Sequence, residues 1–352
     1  MDLGERSAAT LADVAGRAGV SQATASRVLN GNGRRRVGAE MRKRVRAAAD
    51  ELDYSPNAQA QAMARGTTAT LGLIVHDIVD PYFSMIAAGV VDAAAERGLL
   101  VTMASTQRDP AAELRHVELL RQARAQAVVL AGSRLDDPDL LDPMRSALRA
   151  VLRAGGRVAC IGQDVLGVST VVVENRLAAA TLATALHAQG YRRFAVLAGP
   201  PGHLTSRDRT EGFCYGLSGY GAEPAPSYVL ACAFTREGGY EAVRRLLADS
   251  GGVPPVDCIF AANDVMALGA LEALEEAGLS VPGSVGLAGF DDIVSLRDVR
   301  PGITTVRLPL TEMGSAVVGL ALDGEPGTVA RTPVRGEIVL RDSTARSGGT
   351  AV

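Results

Sequence analysis

Two registers of hydrophobic spacing divide this chain. Near its start, Leu11, Val14, Ala15 and Ala18 recur at the three-and-four spacing of a helix, and Ala25, Val28 and Leu29 repeat it. Between the two sets sits Gly19-Val20-Ser21. Glycine can take the left-handed conformation that stops a helix, and a serine oxygen can cap the next one. Thr10 is placed to cap the first helix in the same way. The pattern predicts a helix-turn-helix, then a third helix over 40–52 with Met41, Val45, Ala48 and Leu52 on one face. From residue 70 the register changes. Apolar runs at 71–75, 99–104, 127–131, 157–161, 170–173, 194–198, 228–231, 258–262 and 285–290 alternate with helical stretches such as 83–97, 111–124, 174–189, 236–249 and 263–277. Strands apolar on both sides are buried on both faces, so the alternation predicts an α/β body of parallel sheets flanked by helices. The tail adds a helix at 309–322 and a last strand at 337–340. The body is longer than a usual single domain, so two similar lobes are expected.

Residues 57–69 fit neither register. They are rich in alanine and glutamine and carry no apolar stripe, so they form a marginal helix in isolation and read as a linker. The chain thus divides into a head at 8–56, a hinge at 57–69 and a body at 70–345. Charge follows the same division. Residues 1–66 hold 11 basic and 7 acidic side chains, whereas the rest hold 25 and 32, within an overall net charge of −3. A basic head on an acidic body fits phosphate contact by the head alone. Lys43 is the single lysine among the 36 basic residues, a skew that codon bias explains.

The N-terminal ten residues have no apolar core, and no stretch reaches the ~18 apolar residues of a spanning helix, so a cytoplasmic protein without a membrane partner is expected. Cys160, Cys214, Cys232 and Cys258 lie far apart among apolar neighbours and read as buried free thiols. The histidines show no metal-ligand spacing, and no nucleophile elbow, phosphate loop or isolated general-base pair is present. Non-catalytic binding without a cofactor or metal is the expectation.

The outward side chains of the second helix, Gln22, Ala23, Ser26, Arg27 and Asn30, suit base edges and phosphates. Arg27 can contact guanine with two donors, Gln22 suits adenine, and Ala23 offers a methyl group to thymine. The stretch TLADVAGRAGVSQATASRVLNG, followed by helix 40–52 and Tyr54-Ser55-Pro56-Asn57, resembles the N-terminus of the lac repressor/galactose repressor family of bacterial transcriptional regulators. Ala25 and Met41 depart from the usual valine and threonine. The resemblance adds Thr10, Ser21, Thr24 and Asn57 to the candidate DNA contacts. It also implies a hinge helix that orders on operator DNA, with Met63 where the family carries a leucine that wedges into the minor groove.

Over the body the resemblance implies the periplasmic-binding-protein-like fold, with three crossings near 161–163, 291–294 and 322–330. Lobe 1 is then 70–161 plus 294–322, and lobe 2 is 162–290 plus 323–345. Ligands in open parallel sheets sit beyond the carboxyl ends of the strands. There the chain places Asp80-Pro81-Tyr82-Phe83, then a GPPGHLTSRDRTEGF loop with His203, Thr205 and Arg209, then Phe234, Asn263 and Asp291. By resemblance Arg209 clamps the ligand, and Asn263 and Asp291 hydrogen-bond it. An arginine fork, a carboxylate, an amide and aromatic faces suit a sugar, a nucleoside or a small acid. Asp264 and Asp292 read as capping residues. Gly162 stands where many members carry a ligand-facing aspartate, so either Asp164 substitutes or the ligand lacks the matching hydroxyl.

The resulting expectation is a homodimeric repressor on near-palindromic operator DNA, controlled by a carbohydrate-like metabolite in the interlobe cleft. One small head buries too little surface for useful operator affinity, and two heads roughly double it. The tail RDSTARSGGTAV lacks a leucine heptad, which favours a dimer over a tetramer. The rival readings are a regulator answering to a protein partner through a vestigial cleft and a transporter's solute-binding protein.

Overall fold

A computed structural model describes residues 9–30, 37–55 and 66–345. The candidate contacts Asn57 and Met63, most of the hinge, and residues 31–36, which include Arg34, Arg35 and Arg36, lie outside the described residues. The chain separates into two compact units that meet at Thr68 and Ala69.

The first unit holds three helices, α1 (Leu11–Ala18), α2 (Gln22–Asn30) and α3 (Ala39–Glu51). Val14, Ala15, Ala18, Ala25, Val28, Val45, Ala48 and Ala49 form its buried core. Met41 departs from the expected apolar face of α3 and is 39% exposed, because the first turn of that helix runs past the small core. Thr10 and Asp13 cap α1 reciprocally, each side chain taking the other's backbone N–H. Gly19 then adopts φ 64°, ψ 43° and ends the helix. The Arg44 guanidinium of α3 donates to the Ala18 carbonyl beside it, and Ser21 Oγ accepts from Thr24 N at 3.2 Å to start α2.

The second unit is built on two parallel sheets. The larger contains β1 (Thr70–Val75), β2 (Leu100–Ser105), β3 (Ala127–Ala131), β4 (Arg157–Gly162), β5 (Ser169–Val173) and β11 (Arg331–Val334), in the order β11-β5-β4-β3-β1-β2. The smaller contains β6 (Phe194–Gly199), β7 (Val229–Ala231), β8 (Cys258–Ala261) and β9 (Gly286–Ala288), in the order β7-β6-β8-β9. A short antiparallel pair joins β10 (Thr305–Arg307) to β12 (Glu337–Val339). Helices α4 (Pro81–Glu96), α5 (Pro110–Gln122), α6 (Pro138–Arg153) and α11 (Leu310–Leu322) cover the larger sheet. The smaller is covered by α7 (Asn175–Ala188), α8 (Leu204–Ser218), α9 (Arg236–Asp249) and α10 (Asp264–Glu276).

The lobe boundaries differ from those expected. β5 pairs with β4, Ala159 opposite Ser169, and β11 pairs with β5, Thr332 opposite Val171. Residues 169–173 and 331–334 therefore belong to the first lobe, and the crossings fall near Glu174, Pro309 and Gly336. An apolar run such as Val171–Val173 carries no mark of which sheet it joins; its hydrogen-bonding neighbour decides. Strand β11 escapes a sequence reading because it is a half-exposed edge strand interrupted by Pro333, a residue tolerated only where one side of the strand is unpaired. The last segment to the second lobe passes Gly336, where a Cβ would lie 2.3 Å from Val306 Cγ1. Cys160 and Cys258 are buried as expected, while Cys214 and Cys232 are only partly so, and all four are free.

Candidate functional site

In the first unit the candidate contacts cluster on α2 and its approach. Ser21, Gln22 and Ala23 are exposed, while Thr24, Ser26 and Arg27 are half-buried. Arg27 lies along its own helix, donating from Nε to the Ala23 carbonyl at 2.9 Å and from Nη2 to Thr24 Oγ1 at 3.3 Å. Asn30 closes the helix, and Thr10 is occupied by the α1 cap. The apolar side of α2, Ala25 and Val28, turns inward, which leaves its short polar side chains facing outward.

In the second unit, all nine candidates of the cleft line one cavity of about 60 Å³. They arrive from strand ends in both lobes. Asp80 follows β1 and caps α4, accepting from Tyr82 N at 3.0 Å. Tyr82 and Phe83 stand edge to face with centroids 5.0 Å apart. His203 and Thr205 open α8, and Arg209 follows one turn later. Phe234 precedes α9, and His203 packs edge-on against it at 5.9 Å.

Arg209 is 4% exposed and uses three of its five N–H donors within the protein. Its Nε donates to Asn175 Oδ1 at 2.8 Å, Nη1 to the Ala262 carbonyl at 2.6 Å and Nη2 to Asp291 Oδ1 at 2.8 Å. Its guanidinium carbon lies 3.8 Å from the centre of the Phe290 ring. A planar fork with five donors accepts this arrangement where an ammonium could not. Asp291 and Asp292 have φ 115° and 55°, left-handed values that non-glycine residues rarely adopt. That turn sends Asp291 into the cleft and Asp292 away from it, to Arg307 at 2.7 Å and Arg341 at 2.6 Å. Burial pushes the Asp291 carboxyl up to about 6, with the Arg209 charge drawing it back. Burial also raises the Asp80 carboxyl and the Tyr82 phenol.

Asn263 caps α10 with Oδ1 accepting from Met266 N at 3.0 Å and lines the cavity. Asp264 is buried and works as a staple, accepting from Thr305 Oγ1 at 2.7 Å and from Ile293 N at 3.0 Å. Asp164 does not replace an aspartate at position 162. It pairs with Arg331 and is not part of the cavity wall. Gly162 itself has φ 140°, and a Cβ there would sit 2.7 Å from the Gly132 carbonyl oxygen.

The cavity also contains His76, Arg108 and Ser133, which sequence reasoning missed. Each follows the end of β1, β2 or β3, so the strand-end rule applied to every strand finds them. His76 is buried, and that burial, with Arg134 and Arg108 nearby, holds its imidazole well below the ordinary value and neutral. Arg108 crosses between lobes, donating to the Phe234 carbonyl at 3.0 Å. A second set of bonds clasps the lobes. Leu135 pairs with His203 in an isolated bridge, Ser133 Oγ accepts from Thr205 N at 3.1 Å, and Gln163 donates to Thr205 Oγ1 at 2.8 Å.

A three-helix head with a polar exposed second helix, on a two-sheet body with a charged, aromatic-walled cleft, is the build of a ligand-responsive DNA-binding regulator. Residues 10–57 match the model of bacterial regulatory proteins of the lacI family, and 68–321 match that of periplasmic binding proteins and the sugar-binding domain of the LacI family. The chain belongs to the LacI family of DNA-binding transcriptional regulators. It is 33% identical over 318 residues to the HTH-type transcriptional regulator GalR of Escherichia coli K12, covering 89% of this chain and 88% of that one. It is 32% identical over 344 residues to the transcriptional repressor CytR of the same organism, covering 97% of each. Among solved structures, the complex of the transcriptional regulator CelR with cellobiose superposes with a TM-score of 0.68 at 30% identity, over 95% of this chain and 99% of that one. Among the described residues no helix is long and apolar enough to cross a membrane.

Proposed function

We propose that this regulator is a cytoplasmic homodimeric repressor that reads a near-palindromic operator and is controlled by a carbohydrate-like metabolite in the interlobe cleft. Gln22, Ala23 and Arg27 read bases in the major groove, supported by Thr10, Ser21, Thr24, Ser26, Asn30 and Asn57, and Met63 wedges the minor groove. The observation that carries the cleft reading is the convergence of Arg209, Asp291 and Asn263 with Tyr82, Phe83 and Phe234 on one cavity between the lobes. Donors, acceptors and aromatic faces in that mixture bind a polyhydroxylated ring. The reading is binding rather than catalysis, supported by the Asp291 carboxylate being held by Arg209 rather than free to act as a base. A ligand that changes lobe closure alters the spacing of paired hinges and so the fit to DNA.

The test is operator titration with and without each member of a panel of small sugars and nucleosides. One member is expected to change operator affinity at least tenfold in the natural protein. Arg209→Ala, still folded by thermal unfolding, should lose that change and keep its ligand-free operator affinity. A variant that responds in full removes Arg209 from the ligand site. A natural protein that answers to no member of the panel, yet is released from operator by a cellular protein, favours the vestigial-cleft reading.

A further inference from the structure

Beside the cleft lies a larger chamber of about 190 Å³, lined by the first lobe between the opening turns of α5 and α6 and closed by His203 of the second. The two spaces share His76, Arg108, Ser133 and His203 as a common wall. Leu114, Leu140, Leu141, Pro143, Met144 and Leu166 make its far side apolar. One end is different. Glu113 is 6% exposed and is bound by the Arg134 guanidinium through Oε2, while its Oε1 is buried without a hydrogen-bond partner. Thr106, 4% exposed, leaves its hydroxyl unpartnered in the same chamber, and His203 Nδ1 on the shared wall is equally unpartnered.

Buried polar atoms without partners cost stability and are rare in folded proteins. Three of them at one end of a cavity that Arg108, Asp109, Arg134 and Asp139 also line, with aliphatic side chains on its far side, describe an amphipathic seat. A dry cavity of about 150 Å³ is enough for a benzene ring, so this chamber admits one six-membered ring. The neighbouring cleft, at about 60 Å³, holds the charged groups but little space.

We propose that the effector has two parts. A polyhydroxylated ring engages Arg209, Asp291 and Asn263 in the cleft, and a second ring with an apolar face and an outer hydrogen-bond donor enters this chamber. The donor meets Glu113 Oε1 or the Thr106 hydroxyl, displacing water that would otherwise satisfy them. The inference rests on the cleft as the sugar site for its first part only; the chamber stands on its own residues.

The experiment is calorimetry on the full-length protein with matched methyl and phenyl β-D-glycosides of glucose, galactose and ribose, and with phenol alone. For a sugar that binds, the phenyl glycoside is expected to bind at least tenfold more tightly than the methyl glycoside. Met144→Phe and Leu114→Phe, two independent fillings of the chamber, should erase that advantage and leave the methyl glycoside's affinity unchanged. Phenol should bind saturably to the natural protein and to Arg209→Ala but to neither filled variant. Equal affinity for phenyl and methyl glycosides, or a phenyl advantage that survives both fillings, overturns the proposal. Saturable phenol binding in a protein that takes no glycoside upholds the chamber and removes the sugar reading of the cleft.

Discussion

The recognition helix and the cleft both rely on an arginine, under opposite conditions. Arg27 is half-buried on the surface of a small helical unit, bonded among the described residues to Ala23 and Thr24 of its own helix. Arg209 is enclosed, held by three acceptors from α7, the residue after β8 and the turn after β9, and stacked on Phe290. Single hydrogen bonds of this kind contribute little net stability, which suits the role on DNA proposed for Arg27. A buried charge binds the fold together and its loss leaves a partner stranded. Altering the first should change what the protein binds; altering the second should change how stably it folds as well.

The largest effect expected from this contrast is that of Arg209→Ala on stability. It leaves Asp291 buried without its counter-charge and should lower the stability of the second unit by about 3–5 kcal/mol at pH 8. Urea unfolding followed by tyrosine fluorescence checks this, and a loss below about 1 kcal/mol would mean the pair is solvated.

Somewhat smaller is the pH dependence of the same pair. The Asp291 carboxyl ionises at about 6 in the folded chain against an ordinary 3.8. Its protonated form favours folding, so its contribution is fully present below 3.8 and is lost as pH rises through about 6. Two units correspond to roughly 3 kcal/mol. Asp264 and Asp80, also raised chiefly by burial, act with the same sign. His76 and His203, lowered chiefly by burial, act with the opposite sign, losing their contribution as pH falls below 6.5. Asp291→Asn isolates the single group. The stability of the natural protein relative to that variant should fall by roughly 3 kcal/mol between pH 4 and 7, and a difference independent of pH would disprove it.

In the head, Arg27→Ala should cost about 1–3 kcal/mol at the operator while sparing non-specific DNA. Equal weakening on random sequence, measured by fluorescence anisotropy at one fixed salt, would assign Arg27 to phosphate. The smallest effect belongs to Thr10→Ala, which removes the α1 cap at a cost of about 1 kcal/mol. Circular dichroism should register it in the melting of the head, with the unfolding of the second unit unchanged. A shift in both would show that the two units do not unfold separately.

Local signals carried much of this molecule. The cap, the glycine turn and the inward face of α2 are all decided within a few residues, so Thr10, Gly19, Ser21 and the outward set of α2 are readable from the chain. The cleft residues are readable for a different reason. In a parallel sheet every strand ends on the same side, so the residues just past each apolar run converge whatever the details of packing. That rule gathers Asp80, Asn263 and Asp291 from positions more than two hundred residues apart, whereas Arg209, a turn inside α8, is singled out by the family resemblance.

The amino-acid sequence by itself thus determined most of the elements, the head, the alternating body and the chemical character of the cleft. Tertiary structure alone decided the rest. Strand β5 carries apolar residues on both faces and could serve either lobe; pairing with β4 and β11 assigned it to the first. Asp291 and Asp292 are neighbours of one type, and only the left-handed turn after β9 sent one into the cleft and the other to Arg307 and Arg341. The side chamber has no sequence signal either, because it is space left between the opening turns of α5 and α6. Periodicity reports which face of an element is buried, whereas pairing partners, turn direction and unfilled volume depend on what the rest of the chain brings alongside.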